Sequence, residues 1–411
     1  MVRGVLNLTP YRRVLAVPGL RGLLLVSVLA RVPMAATAVA LTLHVVTDLG
    51  RGYAQAGLVG TAMTVGTALG SPVLGRVVDR RGLRPVLAVT TVTTALFWTV
   101  APILPYPLLL VTAFAGGLLI LPVYSVVRQS IAALVPEDQR RQAYAMDSMS
   151  VELAFMCGPA LAVLISTSVS PRVTLLGIGA GMALAGVALI VLDPPTRVPT
   201  DPRTPGVRVP RRSWLTLRLI AILLGASAAT LVLSGADVSV VAVLRAHGEV
   251  GWSAAVLGLW SVYSLAGGFA YGGLSRPLPP LALTVVLGLL TAPVGLGGGR
   301  WWLLALALLP AGALCAPTLA ATADAVSRLV PGSVRGEAMG LHGSALTVGL
   351  SLGSPLAGTV IDATVPAGGF AAAGLLGALA AALVLPLELR RRRRDRAASD
   401  PVVLAEANAG G

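Results

Sequence analysis

Long apolar stretches separated by short polar segments run through most of this chain of 411 residues. A helix needs about 20 apolar residues to cross the hydrocarbon core of a bilayer, which is about 30 Å thick. Twelve stretches are long enough, and we predict membrane-spanning helices over 22–46, 54–75, 85–104, 107–131, 142–165, 172–192, 214–243, 252–274, 279–298, 302–326, 337–361 and 367–388. The pattern therefore predicts an all-α integral membrane protein.

Composition supports this class. Apolar residues make up 55% of the chain and charged residues only 12%, and the mean hydropathy is +0.84. Soluble domains carry about 25% charged residues. The alternative, a soluble helical protein, would need a far more charged surface, so composition favours the membrane.

The positive charge predicts orientation. All 31 basic residues are Arg, and the net charge is +14. Basic loops tend to remain in the cytoplasm. Most Arg residues fall on the side that carries both termini, residues 76–84 and residues 193–213, so we expect both termini to be cytoplasmic in the cell membrane. Lipid headgroups rather than nucleic acid are the expected partners of this charge. Residues 1–21 are basic but lack the features of a removed signal peptide.

Covalent chemistry finds no support in the sequence. Cys157 and Cys315 both fall within predicted spans and do not form a disulfide or metal pattern. The three histidines, His44, His247 and His342, are scattered, and no phosphate-binding glycine loop followed by Lys occurs. We therefore expect no enzyme activity, no cofactor and no metal site.

The chain is expected to divide into two halves. Residues 193–213 are rich in Pro and Arg and have no apolar period, as in an extended linker. We therefore predict an N-terminal six-helix bundle over 1–192, a cytoplasmic linker over 193–213, a C-terminal six-helix bundle over 214–388 and a basic cytoplasmic tail over 389–411.

The two halves also repeat in sequence. At one constant offset, Gly117 matches Gly312 and Gly158 matches Gly353, and further matches join Pro122 to Pro317 and Arg140 to Arg335. Parallel six-helix repeats with a substrate site between them are one plan of secondary transporters.

A short motif between the second and third predicted spans adds a family resemblance. The segment from Gly75 to Leu87 reads GRVVDRRGLRPVL and resembles the signature loop of the major facilitator superfamily. The positions that match the family pattern are Gly75, Asp79, Arg80, Gly82, Arg84 and Leu87, whereas Leu83 departs from it. The resemblance implies a twelve-helix transporter of two pseudo-symmetric bundles, monomeric by default.

In that family the signature loop is thought to latch the two halves together when the protein is open to the outside. The resemblance therefore implies that Asp79 and Arg80 are latch residues, with Arg128 as a possible partner. The alternative is that the Arg residues only hold the loop in the cytoplasm. The corresponding loop of the second half, 272–280, has no acid and keeps only Arg276.

Charged side chains inside membrane helices are candidates for function. Arg31 lies about 13 Å and Glu152 about 15 Å from the inner ends of their predicted helices. Because an isolated buried charge is costly, we expect these two residues to pair or to share a water-filled cavity. Glu152 is the first candidate proton carrier, and Arg31 is also a candidate contact for an anionic group of the substrate. The alternative is a permanent salt bridge that only packs the first helix against the fifth.

Polar and aromatic stripes mark two further helices. Positions at spacings of three and four lie on one helix face, and the seventh span has such a stripe at Ser227, Thr230, Ser234 and Asp237. Asp237 is a second proton candidate, and the hydroxyls either face a cavity or bond between helices. Trp260, Tyr263 and Ser264 on the eighth span are candidate substrate contacts, and the alternative is that this aromatic face only packs against other helices. We expect His342 to be structural and Asp147, Arg128 and Asp324 to be edge or gate charges near helix ends.

Gly158-Pro159 resembles the core of the antiporter motif of drug exporters in this superfamily, although the flanking glycines are missing. Pro removes a backbone hydrogen bond and Gly permits close helix contact, so we expect a bend at an interface. The sequence as a whole predicts a proton-coupled transporter that moves a small organic solute by alternating access, with export favoured. The alternatives are a uniporter or lipid flippase of the same fold, and a membrane sensor or scaffold without transport.

Overall fold

A computed structural model of the chain describes residues 9–197, 209–274, 278–297 and 300–398. Arg276, the middle of the predicted linker and the end of the basic tail lie outside these residues. The described part contains twelve helices that are long and apolar enough to cross a membrane. They are α1 (Leu20–Asp48), α2 (Tyr53–Arg81), α3 (Leu83–Ile103), α4 (Tyr106–Leu134), α5 (Arg140–Ser168), α6 (Pro171–Leu192), α7 (Leu217–Ala246), α8 (Val250–Gly273), α9 (Pro280–Gly297), α10 (Trp301–Leu329), α11 (Gly332–Ala363) and α12 (Gly368–Pro386).

The helices form two bundles of six. In the first bundle α1 packs against α5 and α6, and in the second α7 packs against α11 and α12. The bundles are joined chiefly by α2 with α11 and by α5 with α8, and also by α5 with α10 and by α4 with α11. Many apolar side chains on the outer surface are exposed, as at Leu25, Leu69 and Val191, which suits a surface that contacts lipid. The predicted architecture of two six-helix bundles is therefore confirmed.

The internal repeat has a structural counterpart. The α-helix in α4 is interrupted between Leu118 and Val123, and that in α10 is interrupted between Gly312 and Cys315. Gly158 contacts the carbonyl of Val32 on α1, and Gly353 contacts the carbonyl of Leu231 on α7. Matching glycines thus allow the same close helix crossing in each bundle.

Most of the signature segment is helical, which corrects the expectation of a loop over 76–84. The second span continues as a helix to Arg81, and the third begins at Leu83. Gly82 alone connects them, with a φ of 85°. This φ lies in the region that favours glycine. Because the second helix ends only at Arg81, the polar motif extends that helix rather than ending it.

The two faces of the molecule differ in charge. The Arg-rich face carries the α2–α3 turn, the connection between α6 and α7 and the end of α12. The opposite face carries the α1–α2 and α7–α8 turns. A short helix, Thr9–Leu15, lies before α1 at the Arg-rich face.

Candidate functional site

A large cavity lies between the two bundles. Its volume is about 2080 Å³, and its lining comes from both halves of the chain. Thr42, Gly57, Arg245 and Asp362 line it at the helix ends of the opposite face, and Arg128 lines it deep in the bundle. The cavity therefore opens at the opposite face and ends near the middle of the membrane.

Among the described residues, the packing of apolar side chains explains why the cavity is closed at the Arg-rich face and open at the opposite face. On the Arg-rich side a single buried cluster includes residues of both bundles, such as Leu74 and Val78 of α2 and Val326 of α10. On the opposite side each bundle has a cluster of its own, one around Trp98 and the other around Phe370. The bundles thus share apolar contacts at the Arg-rich face and separate towards the other.

Asp79 joins the bundles at the Arg-rich face. Its carboxylate accepts hydrogen bonds from the backbone N–H groups of Gly336 at 2.9 Å and Glu337 at 2.8 Å. Both groups belong to the first turn of the α-helix in α11, where the helix dipole favours an anion. The side chain of Gln129 on α4 donates to the same carboxylate at 2.9 Å. Asp79 therefore lies where a latch residue is expected, but its α4 partner is Gln129 rather than Arg128.

Two further contacts close this face. A Cβ on Gly75 would lie 2.6 Å from the carbonyl carbon of Gly336, so the backbones of α2 and α11 approach closely because neither residue has a side chain. Arg76 of α2 donates to Glu337 through Nε at 2.9 Å, and Arg211 pairs with the same carboxylate at 2.7 Å. Glu337 thus receives one Arg from α2 and one from the segment that precedes α7.

Arg80 and Arg84 make no contact across this interface. Arg80 is exposed and forms no hydrogen bond or ion pair with the described residues. Arg84 pairs at 3.0 Å with Asp193, which belongs to the same half of the chain. The expectation that Arg80 is a latch residue is therefore not supported by its position, and Arg76 occupies that role geometrically.

The short helix Thr9–Leu15 adds a contact between the N-terminal segment and α8. The ring of Tyr11 stacks on that of Phe269 at 4.7 Å, and its hydroxyl donates to the Phe269 carbonyl. Burial raises the pKa of Tyr11 to about 12. The hydroxyl therefore remains a proton donor at neutral pH.

A buried charge cluster lies beneath the cavity. Arg31 Nη2 is 2.6 Å from Asp147 Oδ1, and Arg128 Nε is 3.1 Å from Asp147 Oδ2. Arg31 also donates to the Ser150 hydroxyl. The predicted pair of Arg31 with Glu152 is therefore wrong. Five residues separate Asp147 from Glu152, which is about 140° around the helix, so only Asp147 faces α1.

The same cluster corrects the expectation of edge charges. Asp147 and Arg128 are almost completely buried rather than extended to the membrane surface. Asp324 is also buried, but it lies in the last turns of α10 and pairs at 3.0 Å with Arg328, which is exposed. The ion pairs of Asp147 with Arg31 and Arg128 compensate these buried charges, because an unpaired charge would be costly there.

His342 connects this cluster to the second bundle. Its Nδ1 lies 3.0 Å from Arg128 Nη1, and its Nε2 lies 3.1 Å from the Thr322 hydroxyl. A guanidinium group can only donate, so Nδ1 accepts and the imidazole is neutral in this arrangement. The expectation of a bonded, structural histidine agrees with this geometry.

Glu152 and Asp237 both line the cavity, one from each bundle. Glu152 accepts a hydrogen bond of 2.9 Å from Ser264, and Asp237 is exposed to the cavity. Two titratable acids therefore face one space, and neither forms an ion pair with a described Arg.

The other candidate substrate contacts divide into two groups. Thr230 and Trp260 line the cavity, whereas Arg31, Ser227, Ser234, Tyr263 and Ser264 do not. Ser234 bonds to Ser354 at 2.6 Å, and Thr230 donates to the Leu346 carbonyl at 2.9 Å. The hydroxyls of Thr230 and Ser234 thus bond to α11, as the alternative interpretation of the stripe expected.

Gly158 and Pro159 lie where α5 meets α1 and the cavity. A Cβ on Gly158 would be 2.6 Å from the Val32 carbonyl oxygen, and Pro159 lines the cavity. The expected close contact agrees with this geometry, and the expected bend stays a prediction.

Sequence reasoning missed the Asp147 cluster and the partners of Asp79. A signal for the first was present, since Arg128 and Asp147 lie roughly 9 Å and 10 Å from the Arg-rich ends of their helices. Equal depth on neighbouring helices indicates a pair. Gln129, Gly336 and Glu337 carried no comparable signal, because their role depends on which helices meet.

Several solved structures share this fold. The human organic anion transporter MFSD10 (TETRAN) is 19% identical, with a TM-score of 0.68 over 91% of this chain and 99% of that chain. A bacterial homologue of the iron transporter ferroportin in its outward-facing state is 15% identical, with a TM-score of 0.68 over 88% and 98%. The proton:xylose symporter XylE is 13% identical, with a TM-score of 0.68 over 89% and 95%. At these identities the likeness shows the fold alone.

Sequence comparison identifies the family. No curated protein matches the chain. The sequence profile described as Major Facilitator Superfamily matches residues 23–299 and 281–408. Together with twelve helices in two repeated bundles around a central cavity, this match shows that the chain belongs to the major facilitator superfamily of transporters.

Proposed function

We propose that this protein is a secondary active transporter that exchanges protons for a small organic solute by alternating access. The observation that carries the proposal is the pair of carboxyl groups, Glu152 from one bundle and Asp237 from the other, that line one open cavity. A carboxyl group in an apolar cavity can bind and release a proton during a transport cycle. Acids that face the substrate space can therefore couple the two movements.

The Arg-rich face is the cytoplasmic face in this proposal. The positive-inside bias supports that orientation, and both termini are then cytoplasmic in the cell membrane. The cavity would open to the outside. The contacts of Asp79 with α11 and of Glu337 with α2 would hold the cytoplasmic side closed. Opening that side and closing the other would expose the same carboxyl groups to the cytoplasm.

Export by antiport is the direction we propose, with the protein acting as a monomer. The partial antiporter motif at Gly158-Pro159 supports it, since that pair lies at the contact of α5 with α1 beside the cavity. In antiport the solute and the protons occupy the carboxyl groups in turn. The alternative functions predict different transport. A uniporter or lipid flippase would move its solute independently of the proton gradient, and a sensor or scaffold would move no solute.

Proton flux into proteoliposomes tests the proposal. A trapped pH-sensitive dye reports proton movement while drugs, sugars and amino acids are added one at a time. We expect at least one solute to trigger proton flux in the wild-type protein, and Glu152→Gln to abolish it because the amide cannot carry a proton.

Asp362→Asn is the matched control. Asp362 lines the same cavity but lies exposed at its mouth, so its replacement should leave solute-triggered flux intact. Solute movement that ignores the proton gradient, or equal flux in wild type and Glu152→Gln, would contradict the role of Glu152.

A further inference from the structure

The cluster beneath the cavity contains more positive than negative charge. Arg31 and Arg128 share the single carboxylate of Asp147. His342 adds no negative charge, and as a neutral acceptor it adds no positive one. The cluster therefore has one uncompensated positive charge among side chains that are almost completely buried.

Arg128 brings that charge to the floor of the cavity. Its Nε bonds to Asp147 and its Nη1 to His342, whereas none of the hydrogen bonds among the described residues uses Nη2. Arg128 lines the cavity although only 1% of its surface is exposed. A guanidinium group in this position, held by two partners and with donors to spare, suits a carboxylate or phosphate ligand.

Tyr124 completes this floor. Its ring lies 4.9 Å from the guanidinium carbon of Arg31 and 5.8 Å from that of Arg128, and it lines the cavity. The ring covers the guanidinium groups on one side, as in cation–π contacts. It thereby restricts the directions from which an anionic group can approach Arg128.

The walls above this floor carry the opposite charge. Glu152, Asp237 and the ring of Trp260 line the same cavity, and carboxylates and aromatic rings both bind cations. Asp147, next to Arg128, and Glu152 differ by five residues on α5, which is about 7.5 Å along the helix axis. The positive charge at the floor of the cavity and the carboxyl groups on its walls are therefore separated by several bond lengths within one cavity.

We propose that the transported solute is dipolar. Its anionic group binds Arg128 at the floor of the cavity, and its cationic group binds between Glu152 and Asp237, where it takes the place of the protons. This inference rests on the proposed antiport function, because the cationic group must compete with protons for the carboxyl groups. The ligand class is an organic zwitterion whose charges are separated by an apolar or aromatic body.

Calorimetric binding to the purified full-length protein tests the inference without transport. The probes share one aromatic body and differ only in charge: 4-(aminomethyl)benzoate has both groups, 4-methylbenzoate lacks the ammonium group, and 4-methylbenzylamine lacks the carboxylate. Since each charged hydrogen-bonded contact is worth roughly a factor of ten or more, we expect the zwitterion to bind at least about tenfold more tightly than either single-charge probe.

Variants assign each group to its partner. Arg128→Gln should reduce zwitterion binding to the level of 4-methylbenzylamine, and Glu152→Gln with Asp237→Asn should reduce it to the level of 4-methylbenzoate. Arg128→Lys keeps the charge if the glutamine variant does not fold. Arg245→Gln is the matched control, because Arg245 lines the mouth of the same cavity and is exposed, and it should change binding by less than about twofold.

Equal binding of the three probes to the wild-type protein, or no binding of the zwitterion at millimolar concentration, would overturn the inference. So would an Arg128→Gln variant that folds and keeps the full preference for the zwitterion. Zwitterion binding without any proton flux in proteoliposomes would leave this inference standing and contradict the proton-coupled function instead.

Discussion

At the residue scale, Asp147 is the carboxylate on which the buried charges depend. It receives Arg31 at 2.6 Å and Arg128 at 3.1 Å, and all three side chains are almost completely buried. Removing one partner of a buried ion pair is strongly destabilising because the other charge remains without compensation. The stability of the first bundle should therefore respond to Asp147 more than to any cavity carboxyl group.

Asp147→Asn should destabilise the protein by about 3–5 kcal/mol, since two guanidinium groups would then lack a counter-charge. The measurement is the unfolding midpoint of purified protein in detergent. Glu152→Gln serves as control and should leave the midpoint nearly unchanged, because Glu152 bonds to Ser264 and not to Arg31. If Glu152→Gln lowered the unfolding midpoint more than Asp147→Asn, Arg31 would be paired with Glu152 rather than with Asp147.

The sequence revealed the charged residues but not their pairing. Depth along a helix can be counted from its ends, so Arg31 and Glu152 were both placed near the middle of the membrane. The direction of each side chain around its helix depends on which helices are neighbours, and one sequence does not contain that information. Asp79 was found through its motif, whereas Gln129 and Gly336 became apparent only once α2, α4 and α11 met.

At the scale of helices, the repeat predicts matched close contacts. Gly158 on α5 faces the backbone of α1, and Gly353 on α11 faces α7, where an added Cβ would lie 2.9 Å from the Ser234 Cβ. Gly177 on α6 has no atom within 4 Å of an added Cβ. The first two glycines are therefore contacts between helices, and the third is not.

Gly158→Ala and Gly353→Ala should each lower stability by about 1–3 kcal/mol, because the added methyl group forces the helices apart. Gly177→Ala should be neutral or slightly stabilising, since alanine favours a helix. Unfolding midpoints of the three variants provide the comparison. Equal midpoints for all three would show that the crossings tolerate a side chain and that the repeat has no such packing role.

The number of spans was predictable because each apolar run is long enough to cross a bilayer. Helix ends were less predictable, as α2 shows: it continues through the charged motif to Arg81. Part of the polar motif is buried by α11 there, so polarity did not mark the end of the helix. The domain limits 1–192 and 214–388 stay a prediction.

At the scale of the whole molecule, one face is closed by contacts between the bundles and the other is open. Asp79 contributes two of those contacts through the first turn of α11. A side chain that caps a helix contributes about 0.5–2 kcal/mol, which is up to roughly a thirtyfold change in a two-state equilibrium. Weakening this cap should therefore shift the population towards a state that is open at the Arg-rich face.

Alternating access requires the two faces to open in turn, and distances between spin labels on the two faces measure this. One pair of labels replaces Arg81 and Leu278 at the Arg-rich face, and a second replaces Tyr53 and His247 at the opposite face. All four positions are exposed, and Cys157 and Cys315 are first replaced by Ala. The samples are wild type, Asp79→Asn and the control Asp193→Asn, whose ion pair with Arg84 lies within one half.

We expect Asp79→Asn to lengthen the distance at the Arg-rich face and to shorten the distance at the opposite face, while Asp193→Asn matches wild type. Opposite changes at the two faces are what a single cavity exposed to each side in turn requires. If both distances lengthen together, or if neither responds to Asp79→Asn, the two faces do not open alternately and this protein does not work by alternating access.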